Sequence, residues 1–93
     1  TETASDLPVA ISCVSSLKDI PPCEDTVFIG EIALTGEIRP VSQINSRIKE
    51  CARLGFKKAI IPEGNIKESK VSKEMEIIGV KWLKDCISIA LSL

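Results

Sequence analysis

The sequence contains no histidine and no tyrosine, and its aromatic residues are Phe28, Phe56 and Trp82 alone. Without histidine, a Ser-His-Asp triad, a histidine general base and most zinc sites are excluded. So few rings argue against a single-strand-binding face built on stacked aromatics. No apolar run approaches the length that spans a bilayer. The polar N-terminus lacks the basic-then-apolar order of a signal peptide. The four cysteines, Cys13, Cys23, Cys51 and Cys86, are irregularly spaced and form no CxxC. They read as reduced, mostly buried thiols of a cytoplasmic protein. The phosphate-cradling patterns GxxxxGK[ST] and GxGxxG are missing, as is the GxSxG nucleophile elbow.

What is present is aliphatic. The 93 residues include fourteen Ile, seven Leu and six Val, and 44% of the chain is hydrophobic. That composition excludes intrinsic disorder. Leu7, Ala10, Ile11, Val14 and Leu17 recur at helical spacing behind Ser5, Asp6 and Pro8, predicting a helix over residues 6–18. Pro21 and Pro22 end it.

Thr26 to Leu34 reads as one strand. Its near-continuous apolarity predicts cover on both faces, with Gly30 marking a bulge or a close backbone approach. Thr35-Gly36 turns it into a hairpin with Glu37-Ile38-Arg39. Ser42 is the expected N-cap of a helix whose apolar stripe carries Ile44, Ile48, Cys51 and Ala52 and can extend to Leu54. Gly55 closes that helix in a left-handed C′ position, with Phe56 as the hydrophobic contact beyond it.

Residues 59–61 form a short buried strand stopped by Pro62. Residues 66–72 suggest a polar helical turn, and residues 76–80 a further strand. Lys81 to Leu93, including Trp82, reads as a final helix that is apolar around most of its circumference and therefore buried on several sides. Helices alternating with strands give a mixed-sheet α/β (α+β) domain spanning residues 1–93.

A net charge of −1 conceals a segregation. Residues 1–37 carry one Lys against seven carboxylates. Residues 38–58 set Arg39, Arg47, Lys49, Arg53, Lys57 and Lys58 against Glu50 alone. A basic block on one helix and its exit is the footprint expected for phosphate contacts. A solvated helix face, or a contact with another protein, would carry the same charges.

Two blocks are distinctive: Gly30-Glu31-Ile32-Ala33-Leu34-Thr35-Gly36-Glu37-Ile38-Arg39-Pro40-Val41, and Leu54-Gly55-Phe56-Lys57-Lys58-Ala59-Ile60-Ile61-Pro62 followed by Gly64-Asn65. With the Ser5-Asp6-Leu7-Pro8-Val9-Ala10 opening and Ser15-Ser16-Leu17, they resemble the Lon-type proteolytic domain (ribosomal protein S5 domain 2-like), in the version found at the C-terminus of RadA-type (Sms) bacterial DNA repair proteins. A magnesium-chelatase-related competence family, whose N-terminal domain is also Lon-like, is the neighbouring possibility.

The resemblance implies a partial domain, its first strands lying upstream together with a zinc-binding segment and an ATPase core that uses ATP and Mg. This segment itself is expected to hold no cofactor and no metal. Active Lon-type peptidases use a serine–lysine dyad. Carried onto this chain, the dyad positions fall on Ala4 and Asn45. Ser5 is one residue from the nucleophile position, but an amide at position 45 cannot accept its proton as a neutral lysine would. The resemblance therefore implies a non-proteolytic module that supports a homo-oligomeric, hexameric ring. Arg47, Lys49, Arg53, Lys57 and Lys58 would contact DNA backbone, and Arg39 a neighbouring subunit. An active or remnant peptidase and a pure subunit-interaction domain are the competing readings.

Overall fold

The structure, a computed structural model, describes residues 5–6, 25–69 and 75–91. The predicted helix at 6–18 lies largely outside these residues. Of that reading only Ser5 and Asp6 are described, and their backbone forms a strand, β1. The other strands are β2 (Thr26–Phe28), β3 (Glu31–Ile32), β4 (Ile38–Arg39), β5 (Lys58–Pro62) and β6 (Glu76–Val80). The helices are α1 (Ile44–Arg53) and α2 (Leu83–Leu91), and a 3-10 turn covers Glu63–Asn65. Two three-stranded sheets result: an antiparallel one in the order β1-β3-β4 and a parallel one in the order β2-β5-β6. The mixed α/β class read from the sequence holds.

The parallel sheet sorts its side chains by the two-residue period of a strand. Phe28, Ile60, Ile78 and Val80 face α2 and pack with Leu83, Cys86, Ile87 and Ala90. Val27, Ile29, Ala59, Ile61 and Ile77 face the other way and pack with Ile44, Ile48, Cys51 and Ala52 of α1. Cover on both faces is why these strands read as continuous apolar runs. Ile32 and Ile38 of the antiparallel sheet join the α2 side of the core.

The single strand expected over Thr26 to Leu34 is two strands in different sheets. The chain leaves the parallel sheet after Ile29, whose N–H still donates to the Ile60 carbonyl at 2.9 Å. Gly30, at φ 153°, makes the change of direction. The hairpin itself is as expected: Glu31 and Ile32 pair with Arg39 and Ile38. Gly36 sits at φ 89° and its N–H donates to the Ala33 carbonyl at 2.9 Å, the left-handed residue that closes a three-residue hairpin loop.

The end of α1 is also as read. Gly55 is left-handed at φ 100°, its N–H donates to the Ala52 carbonyl, and the Phe56 N–H donates to the Cys51 carbonyl, both at 3.1 Å. These are the two bonds of a Schellman ending. The start of α1 is not as read. The N-cap is Gln43, held left-handed at φ 55°, and no side chain caps the helix. Ser42 instead offers its carbonyl to Arg47 Nε at 2.8 Å. A side chain in this backbone conformation costs about 1–2 kcal/mol, which glycine does not incur. Gln43→Gly is expected to raise the unfolding free energy by about 0.5–1 kcal/mol after glycine's larger entropy loss is counted. Urea denaturation checks this.

The polar turn expected at 66–72 begins earlier, at Glu63, because Ile66 N–H donates to the Glu63 carbonyl and Ser69 N–H to the Asn65 carbonyl. The final helix begins later than expected. Lys81 and Trp82 lie outside it. Trp82 forms an antiparallel bridge with Glu37, and its carbonyl accepts from the Asp85 and Cys86 N–H groups at 3.1 Å. The helix is one-sided rather than buried all round: Cys86, Ala90 and Leu91 are buried while Lys84, Asp85 and Ser88 are exposed. Among the described residues no helix is long and apolar enough to cross a membrane.

Candidate nucleic-acid interface

At about 100° per residue, α1 turns Ile44, Ile48, Cys51 and Ala52 onto the sheet. The same rotation turns Lys49, Arg53 and Glu50 outward and places Arg47 on the opposite flank. Because β5 runs antiparallel to α1, the Lys49–Arg53 end of the helix returns beside Lys57 and Lys58 at the entry to the strand. The backbone N–H groups of Lys57 and Lys58 both donate to the Asp25 carbonyl, at 2.9 and 3.1 Å, which pins that entry.

The six basic residues read from the sequence do not form one uniform patch. Arg53 is engaged by Glu50 one turn back, with Nε 3.1 Å from Oε2 and Nη2 paired with Oε1. Arg47 is turned toward the Ser42 carbonyl. Lys58 is half-buried and stands opposite Glu76 in the ladder. Arg39 is exposed on β4, opposite Glu31. Lys49 and Lys57 are exposed, and among the described residues neither forms an ion pair. Arg53 also sits in the last turn of α1, where a cation complements the carbonyl end of the helix dipole.

Of the two dyad positions, Ala4 lies outside the described residues. Ser5 lies in β1 with its backbone opposite Ile32. Asn45 is in the first turn of α1, and its Nδ2 donates to the Glu68 carbonyl at 2.7 Å. The residue that organises this corner is Asn65, which sequence reasoning quoted only within a motif. It is 1% exposed. Its Oδ1 accepts the Val41 N–H and its Nδ2 donates to the Val41 carbonyl, both at 2.9 Å, so the side-chain amide pairs with that backbone as a strand would. Nδ2 also donates to Glu68 Oε1 at 2.5 Å. Next to it, Gly64 lies so close to Pro40 that an added Cβ would stand 2.5 Å from the proline Cγ. The two distinctive blocks of the sequence thus meet here, Pro40-Val41 on Gly64-Asn65. A Gly-Asn pair after a proline signals a turn, but nothing local signals that the amide will be buried.

Of the cysteines, Cys51 and Cys86 are among the described residues, and both are free thiols. Burial pushes Cys86 up to about 12, and Cys51 is raised by burial first and by the Glu50 carboxylate second. Cys13 and Cys23 lie outside the described residues. Among the described residues no group of three or more His, Cys, Asp or Glu side chains could hold a metal.

Residues 2–65 match the family profile described as subunit ChlI of Mg-chelatase. The chain is also similar to proteins named DNA repair protein RadA. It is 46% identical to that of Escherichia coli K12 over 89 residues, covering 96% of this chain and 19% of the relative. It is 46% identical to that of Bacillus subtilis over 90 residues, covering 97% and 20%, and 42% identical to that of Streptococcus pneumoniae over 86 residues, covering 92% and 20%. The chain thus spans about a fifth of the length of the curated relatives it matches.

Proposed function

The chain belongs to the family of subunit ChlI of Mg-chelatase, and from that premise we propose that it is a non-proteolytic, Lon-like module of a RadA-type DNA repair ATPase. Its roles are to support ring assembly and to hold DNA by the phosphate backbone. The similarity to DNA repair proteins supports the context. The observation that carries the DNA contact is the outward face of α1 with the entry to β5, where Lys49 and Lys57 stand exposed and Arg53 occupies the last turn of the helix. Lysine ammonium groups in that position neutralise phosphates and displace condensed counterions, without reading bases.

The peptidase alternative needs an amine where Asn45 stands. Its amide instead ties the first turn of α1 to the Glu68 carbonyl.

Lys49→Glu combined with Lys57→Glu, in the intact protein, tests the reading. The salt dependence of DNA affinity should fall by about two units of slope, at about 0.9 for each phosphate that is no longer neutralised. The weakening should be equal for unrelated sequences. Unchanged affinity and slope in the double variant would reject this surface as the DNA-binding face.

A further inference from the structure

Trp82 is the sole tryptophan of the chain and is 38% exposed. An indole of that size is normally covered, and this one borders an open cleft of about 370 Å³ lined by Thr35, Gly36, Leu83 and Lys84. The cleft is framed by backbone hydrogen bonds and a β-bridge. Leu83 N–H donates to the Gly36 carbonyl at 2.8 Å, Ile38 N–H donates to the Lys81 carbonyl at 2.7 Å, and Glu37 bridges to Trp82. Two lysines lie near Trp82 in the chain. Lys81 Nζ lies 5.7 Å from the ring centroid of Trp82, and Lys84 is the one charged side chain lining the cleft among the described residues. Glu37 and Asp85 are near in sequence but do not line it.

We propose that this cleft is a second nucleic-acid site, in which Trp82 stacks on an unpaired base of a single strand while Lys81 and Lys84 take the flanking phosphates. Three rings are too few for an extended face of stacked aromatics, but one indole beside a cation suffices to hold one base, whatever its identity, because every base has a π-face. The site lies at the C-terminal end of β6 on the α2 side of the parallel sheet. The Lys49–Lys57 surface is at the opposite end and on the opposite face, so the two surfaces are separate. The proposal rests on the reading of the chain as a DNA-binding module. A protein partner would also favour an exposed tryptophan, and the neighbouring Leu34 is 84% exposed. The single lysine among the lining residues, Lys84, favours a polyanion.

Titration of the chain with a short oligothymidylate tests it, because Trp82 is the only emitting indole. Saturable quenching is expected, and in anisotropy with a labelled strand Trp82→Ala should weaken binding by roughly tenfold. Lys84→Gln should weaken it by roughly two- to fivefold with the fold intact. Trp82→Phe, which keeps a smaller stacking face, should recover part of the affinity. Binding that leaves Trp82 emission unmoved and is indifferent to Trp82→Ala and Lys84→Gln would overturn the site while leaving the α1 surface standing. Quenching that survives the Lys49/Lys57 double change would support a site separate from the α1 surface. No binding of any strand would refute both. A concentration-dependent shift of Trp82 emission without DNA, abolished by Leu34→Ser, would assign the cleft to a second copy of the chain and overturn the proposal.

Discussion

Replacing Asn65 by alanine should lower the unfolding free energy by about 2–4 kcal/mol, read as a drop in the urea midpoint at unchanged slope. The size follows from what the amide does. Both polar atoms of a side chain that is 1% exposed are committed to the backbone of Val41, and Nδ2 to Glu68 as well. Alanine leaves the Val41 N–H and carbonyl without these partners in a partly buried place, and adds a small void. An unmet donor or acceptor there costs more than the net worth of the bond it had made.

Asn65→Asp separates shape from hydrogen bonding. The carboxylate still accepts from the Val41 N–H, but it meets the Val41 carbonyl and the Glu68 carboxylate with no proton to donate. Its folded-state pKa is therefore raised above the unfolded value. The protonated acid can donate as the amide did, so the variant should be most stable at low pH and lose stability as pH rises through the folded pKa. A variant indifferent to pH would refute the amide clamp. Val41 leads directly into α1, so the same substitution should loosen the first turn that carries Asn45, visible as faster amide exchange there.

Ile60→Ala is expected to cost about 3–4 kcal/mol. Ile60 is fully buried in the central strand of the parallel sheet, and its side chain fills the layer between that sheet and α2. Truncation removes three carbons from a place walled by Phe28, Val80, Cys86 and Ala90, none of which can collapse far without pulling a strand or helix. Ile78, half-buried on the same face, is the internal control. Ile78→Ala should cost about half as much, since part of that surface already meets water. Equal costs at the two positions would mean that the α2 layer is not the packed core described. Differential scanning calorimetry or urea unfolding distinguishes the cases.

The parts of the architecture that could be read in advance are those fixed by neighbours in the chain. The hairpin at Thr35-Gly36 and the Schellman ending at Gly55-Phe56 are local. Each needs one left-handed residue and a few bonds within six positions, so glycine placement reveals them. The mixed α/β class follows likewise from the alternation of periods along the chain. The α1 face was visible as a stripe, because burial on one side leaves a helical period in the residues; the single buried face of α2 was not, because apolar residues occur around most of that helix.

What needed the third dimension is every feature made by distant segments. The apolar stretch from Thr26 to Leu34 is split between two sheets because Val27 and Phe28 find Ala59 and Ile60, whereas Ile32 finds Ser5 and Ile38. Hydrophobicity alone cannot choose among partners of equal apolarity. The start of α1 passed from Ser42 to a strained Gln43.

The basic block shows the same division. Its composition is plain in the one-dimensional string, and a helix brings Glu50 to Arg53 by simple spacing. The facing of Lys58 by Glu76 and of Arg39 by Glu31 comes only from strand register. The burial of Asn65 and the half-exposure of Trp82 likewise depend on the Pro40-Val41 loop and the hairpin, each more than twenty residues away. Local chemistry sets which conformations a segment can adopt at low cost. Which charges stay free, and which ring stays open to solvent, is decided when remote segments compete for the same surface.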